Sequence, residues 1–156
     1  IQLGTLIERG DNTARLIYAR HFLFLPSPSV LHQKNGLAHW DMVMSAIGAK
    51  RAYNWLHKGR MEGPRVLNFL IADQRMPRSL IYCYTNIVRQ VDALEKAYGC
   101  SYETSRLARA ICDDFDTPKI DELANFGLGN FIAGFLAANS DLSDQLEIDF
   151  KFNPIG

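Results

Sequence analysis

Apolar residues recur at helical spacing along most of the chain. Leu80, Tyr84, Ile87, Val91, Leu94 and Tyr98 alternate by four and three residues, the period of one buried helix face. The pattern stops at Gly99, a residue suited to the left-handed backbone that ends many helices. Residues 2–25 predict a first helix, with Leu6, Thr13, Ile17 and Phe24 on its packing flanks and Pro26 and Pro28 ending it. Residues 26–37, including Asn35-Gly36, read as loop. Trp40, Val43, Met44 and Ile47 predict a short helix, Gly48 interrupts it, and 49–57 predict another around Tyr53 and Leu56. The apolar run 66–71 is too short for its period to choose between helix and strand. Pro64 at a first turn, helical surroundings and the lack of hairpin signals assign it to a helix.

Residues 102–115 predict a further helix with Ser101 as its cap and Leu107, Ile111 and Phe115 inside. Thr117-Pro118 opens the next, and Ile120, Leu123, Gly127, Phe131, Gly134 and Ala138 continue its pattern. Asn139-Ser140-Asp141 reads as a break before a last segment ending near Phe150. The fold class expected is therefore all-α, a compact bundle of about six or seven helices.

Composition narrows the function only a little. The 156 residues are 47% hydrophobic, enough for one domain with a real core. Lys and Arg balance Asp and Glu, so nothing global favours nucleic acid as a partner. The charge is uneven, however: nine of the 17 acidic residues fall between Asp113 and Asp149, where Lys119 is the single basic one. Cys83, Cys100 and Cys112 form an odd set without CxxC or zinc spacing, which points to free thiols in a reducing, cytoplasmic setting. No signal peptide and no apolar run of membrane-spanning length is seen, so no membrane partner is expected. The sequence starts at Ile1 within a helical pattern, which suggests a fragment of a longer protein.

Candidate chemistry concentrates in two stretches. In Glu8 to Arg20, ERGDNTARLIYAR, helical spacing puts Glu8, Asp11, Asn12 and Arg15 on one side, so that Glu8 can reach Asn12 and Asp11 can reach Arg15. Buried charges there would need partners, whereas an exposed ion pair adds only about 0–1 kcal/mol. In the second stretch Asp73, Arg75, Arg78 and Ser79 stand at a junction between two helices. If the long helix beginning near Ser79 packs against the first helix, the two sets form one charged pocket or one salt-bridge network, able to bind a cation or move protons.

Other motifs fail their own requirements. Gly127-Leu128-Gly129 lacks the third glycine of a dinucleotide loop, Ile132 standing in its place, and no strand precedes it. There is no GxxxxGK[ST] loop and no HExxH, and the four histidines lack ligand spacing, so no cofactor and no metal is expected. Arg60, Arg65, Arg75 and Arg78 could hold an anion at a helix start, but without aromatic interleaving they read as surface charge.

The stretch LGTLIERGDNTARLI resembles the LGR-x-x-ERA-x-x-TARL signature of the alpha-E domain family, and FLIADQRMPRSLIYC resembles that family's FL-x-x-D-x-x-x-PRS-I-x-x-C stretch. The resemblance covers residues 3–20 and 69–83 and places Glu8, Arg9, Asn12, Thr13, Ala14, Arg15, Asp73, Pro77, Arg78 and Ser79 on signature positions. Gly10 replaces a usual Ala, and Thr5 stands where Arg is common. It implies an all-helical bacterial or archaeal protein, often longer and built of related halves, of which this chain would be the C-terminal one. It also implies a partner among ATP-grasp-like or transglutaminase-like proteins of a peptide-modifying system. Two functions are then expected: a non-catalytic accessory or interaction module, or an amide-bond or peptide-processing enzyme. In the second, Glu8 or Asp11 would act as acid or base, with Arg15 and Arg78 orienting an anion.

Overall fold

In a computed structural model of the chain, residues 2–23, 32–115, 117–125 and 127–150 are described. They form eight α-helices and, among the described residues, no strand: α1 Gln2–Leu23, α2 His32–Ala46, α3 Lys50–His57, α4 Gly63–Ala72, α5 Leu80–Tyr98, α6 Glu103–Asp113, α7 Thr117–Asn125 and α8 Leu128–Phe150. The expected all-α bundle is present, with one or two helices more than expected.

The bundle is built around α1, which packs on both α5 and α8, while α6 closes against those same two helices. On its other side α5 meets α4, and α4 packs on α7. The α5 seam follows its sequence period: Leu80, Tyr84, Ile87 and Val91 are all buried. Fully burying one such Leu or Ile contributes roughly 1.5–3 kcal/mol. The seam is shorter than the pattern suggests, because Leu94 is half-buried and Tyr98 is 70% exposed. Ser79 caps the start of α5, its hydroxyl accepting from the Tyr82 amide at 3.1 Å, and Gly99 ends the helix at φ 65°.

Four expectations need correction. Helix α2 begins at His32, so residues 32–37 of the predicted loop, Asn35-Gly36 among them, lie in helical backbone. The helix end expected at Pro26 and Pro28 lies outside the described residues. The pattern read through 117–138 is two helices, because Gly127 takes φ 81°, a left-handed conformation that turns the chain between α7 and α8. The expected break at Asn139 is absent, since α8 runs unbroken through it. At α6 the capping position falls to Tyr102, not Ser101. A carboxylate from the far end of α8 satisfies this helix start: Asp149 Oδ2 accepts from the Thr104 amide at 2.8 Å and from its hydroxyl at 2.7 Å. Burial pushes the Asp149 carboxyl up, but its hydrogen bonds from Thr104 and Gln145 outweigh that and hold it below the usual carboxylate range.

Candidate functional site

The two polar stretches meet, at the seam between α1 and α5. These helices run antiparallel there. Thr13, 1% exposed, donates its hydroxyl to the backbone carbonyl of Arg78 at 2.8 Å. Further along, Gln90 Nε2 donates to Gln2 Oε1 at 3.4 Å. Between these points Gly10 lets the helices approach. A Cβ there would meet Phe135 Cζ at 3.6 Å, Tyr84 Cε2 at 3.7 Å and Cys83 Cβ at 3.9 Å, which is ordinary contact. A small residue at this position therefore has a packing reason.

The meeting is made by a hydroxyl and a carbonyl instead of by charges. Among the described residues, no hydrogen bond or ion pair joins the side chains of Glu8, Asp11, Asn12 or Arg15 to those of Asp73, Arg78 or Ser79. Each set is closed locally. Asp73 Oδ1 accepts from the Arg75 amide and Nε, both at 2.9 Å, and Oδ2 accepts from the Arg75 guanidinium at 2.6 Å. That guanidinium holds the Asp73 carboxyl below its ordinary range. Ser79 is fully buried and donates to the Asp73 carbonyl at 2.7 Å. Asp73 and Ser79 thus shape the turn between α4 and α5. Arg78 supplies its carbonyl to Thr13, while its side chain is exposed.

On α1, Asp11 Oδ2 accepts from Arg15 Nε at 2.6 Å, the pair that helical spacing predicts, and this hydrogen bond raises the Arg15 pKa further. Glu8 and Asn12 are both exposed, and no hydrogen bond joins them among the described residues. No group of three or more His, Cys, Asp or Glu able to hold a metal occurs among the described residues.

Sequence reasoning missed a second polar connection. Asp11 Oδ1 and the Ile7 carbonyl each lie 3.5 Å from Asn139 Nδ2, which donates to both. The Oδ1 of Asn139 accepts a short hydrogen bond from the Tyr84 hydroxyl. Burial pushes the Tyr84 phenol far up, with Cys83 and Asp11 adding to the effect, so Tyr84 stays a neutral donor. This network ties α1, α5 and α8 together at the centre of the bundle. Asn139 reads as a helix break in sequence, and only the facing Tyr84 reveals its use.

Beside the seam, α1 and α5 form an open cleft of about 260 Å³, lined by Gln2, Thr5, Leu6, Arg9, Tyr82, Asn86 and Gln90. Glu8 and Arg9, exposed side by side, form the only Glu-Arg pair in the sequence, and Arg9 lines this cleft. Cys83 lies beneath, fully buried, its thiol pushed up to about 11 by burial despite the opposing influence of Arg9 and Arg78. Such a thiol is a core residue and not a nucleophile at neutral pH.

Comparison with known proteins agrees with the two signatures. A family model for Alpha-E, described as a predicted alpha-helical domain with a conserved ER motif, matches residues 1–150. Glu8-Arg9 supplies that ER pair. Searches of curated proteins and of solved structures return no match. With that family model covering nearly its whole length, the chain belongs to the Alpha-E family.

Proposed function

We propose that the chain is a non-catalytic helical accessory module whose α1 surface docks onto a protein partner. The observation that carries this reading is the division of α1 into two faces. Gly10, Thr13, Ala14 and Ile17 are buried against the bundle, while Glu8, Arg9, Asn12 and Arg15 are exposed, Arg9 lining the cleft with α5. Residues of opposite charge on a helix beside an open cleft suit recognition of a protein surface, where electrostatic complementarity sets register and partner choice. A motif that a family retains in exposed positions is better explained by binding than by packing.

The partner class proposed is an ATP-grasp-like or transglutaminase-like protein of a peptide-modifying system. Co-purification of the chain with such a protein tests the reading. Arg15→Glu and Arg78→Glu lie on the two sides of the proposed surface, and each is expected to weaken capture. Undiminished capture by both variants would remove this interface.

A further inference from the structure

Helix α3 buries Tyr53 and turns Trp55 outward. At 82% exposed, Trp55 is the most exposed large hydrophobic side chain among the described residues. Arg51 lies one helical turn before it on the same face, and Lys58 follows just past the helix end in left-handed backbone, φ 51°; both are exposed. Tryptophan carries a large apolar area and is ordinarily well buried, so an indole held out between two cations has the form of an anchor.

The complementary shape lies elsewhere on the chain. Helices α6 and α8 enclose a cleft of about 280 Å³ whose walls include Ile111, Phe115, Phe131 and Phe135. Gly134 lines it with open space beside its backbone, since a Cβ there would meet nothing within 4 Å. Asp114 lines the cleft edge, Asp113 is its exposed neighbour, and Asp141 is exposed two turns beyond Gly134 on α8. The volume falls just below the roughly 300–1,000 Å³ of small-molecule pockets and suits the insertion of one aromatic side chain. Its acidic edge belongs to the region where the sequence concentrates carboxylates.

From this complementarity we infer that the chain associates head to tail with a second copy of itself. Trp55 of one copy seats in the α6–α8 cleft of the next, and Arg51 and Lys58 face Asp113, Asp114 and Asp141. Because anchor and cleft are on different elements, the contact is heterologous: each pair leaves one anchor and one cleft unused, and assembly continues or closes into a ring. This surface is separate from the α1 stripe, so it stands or falls independently of the partner reading above.

Sedimentation of the purified chain over a range of concentrations tests the inference, with circular dichroism confirming that each variant keeps its helical content. The wild-type chain is expected to show concentration-dependent species larger than a monomer, weakened by added salt. Trp55→Ala removes the anchor and Gly134→Leu fills the cleft; each is expected to weaken association at least about tenfold, as loss of a central aromatic anchor does. Mixed together, the two variants restore one good contact, Trp55 of the Gly134→Leu chain in the open cleft of the Trp55→Ala chain. The mixture is expected to stop at a 1:1 dimer, because both remaining halves are blocked. A wild-type chain that stays monomeric would overturn the inference, as would variants that associate like wild type or a mixture that gives no dimer. Capture of a basic helix from another protein by a monomeric wild-type chain would count against it too, since the cleft would then have a different occupant.

Discussion

The two faces of α1 carry residues of similar polarity and put them to different uses. On the inner face, Thr13 and Asp11 reach across to the Arg78 carbonyl and to Asn139, so their polar atoms fix how α1 sits on α5 and α8. On the outer face, Glu8 and Asn12 stand in solvent without a hydrogen bond between them, and Arg9 borders an open cleft. A residue type alone does not separate these roles; position in the helical turn does. One signature can therefore specify a fold and also carry the exposed surface proposed for binding, and the two roles should respond to different substitutions.

The largest effect expected is at the centre of the inner face. Tyr84→Ala removes a fully buried ring packed against Phe115 and Phe135 and leaves Asn139 without its donor; a loss of about 3–5 kcal/mol is expected by chemical denaturation. Tyr84→Phe isolates the polar part. It retains the ring and leaves the Asn139 oxygen unpaired, for a loss of about 1–3 kcal/mol. Thr13→Val keeps the shape but deletes the hydrogen bond to Arg78, and about 1–2 kcal/mol should be lost. A Thr13→Val variant as stable as wild type would mean that this bond does not hold the two signatures together.

Gly10→Ala has the opposite sign. The added methyl fits at ordinary contact distance and replaces a flexible residue inside a helix, so stability should rise by about 0.5–1 kcal/mol. Larger residues such as Leu at the same position should destabilise by overpacking against Phe135 and Tyr84.

Acid sharpens the comparison from outside α1. His57 sits against Tyr53 and Phe69, and burial, with nearby Arg65 and Arg75, lowers its pKa. Its contribution is present above the ordinary histidine pKa of about 6.5 and is lost as pH falls through the lower folded value. Asp73 and Asp149, both held below the usual carboxylate range, contribute stability above about pH 4 that disappears on further acidification. Denaturation midpoints measured from pH 7 to pH 2 should fall in those two stages. Asp149→Asn should flatten the second stage.

Much of this architecture was legible in the sequence because it depends on local period. The α5 seam, the Ser79 and Gly99 ends and the Asp11–Arg15 pair all follow from spacing along one helix. The errors share a cause as well. Asn35-Gly36 and Asn139 look like interruptions, yet the backbone continues through both; at Asn139 the facing α1 and α5 accept and supply the hydrogen bonds that let a polar side chain be buried. Gly127 looked continuous because apolar residues on either side of a turn can keep step with one helix. The joining of the two signatures was expected through charged side chains. Its actual form, a hydroxyl on a main-chain carbonyl, depends on the register of helices 65 residues apart in sequence, which no local pattern encodes.

The division of α1 is tested most directly by a Glu8→Ala/Arg9→Ala double variant, measured for both its denaturation midpoint and its capture by an ATP-grasp-like or transglutaminase-like partner. The midpoint should stay within about 0.5 kcal/mol of wild type, as for exposed positions generally, while capture is lost. A lowered midpoint with capture intact would contradict the account, because the ER pair would then serve the fold and the partner would bind elsewhere.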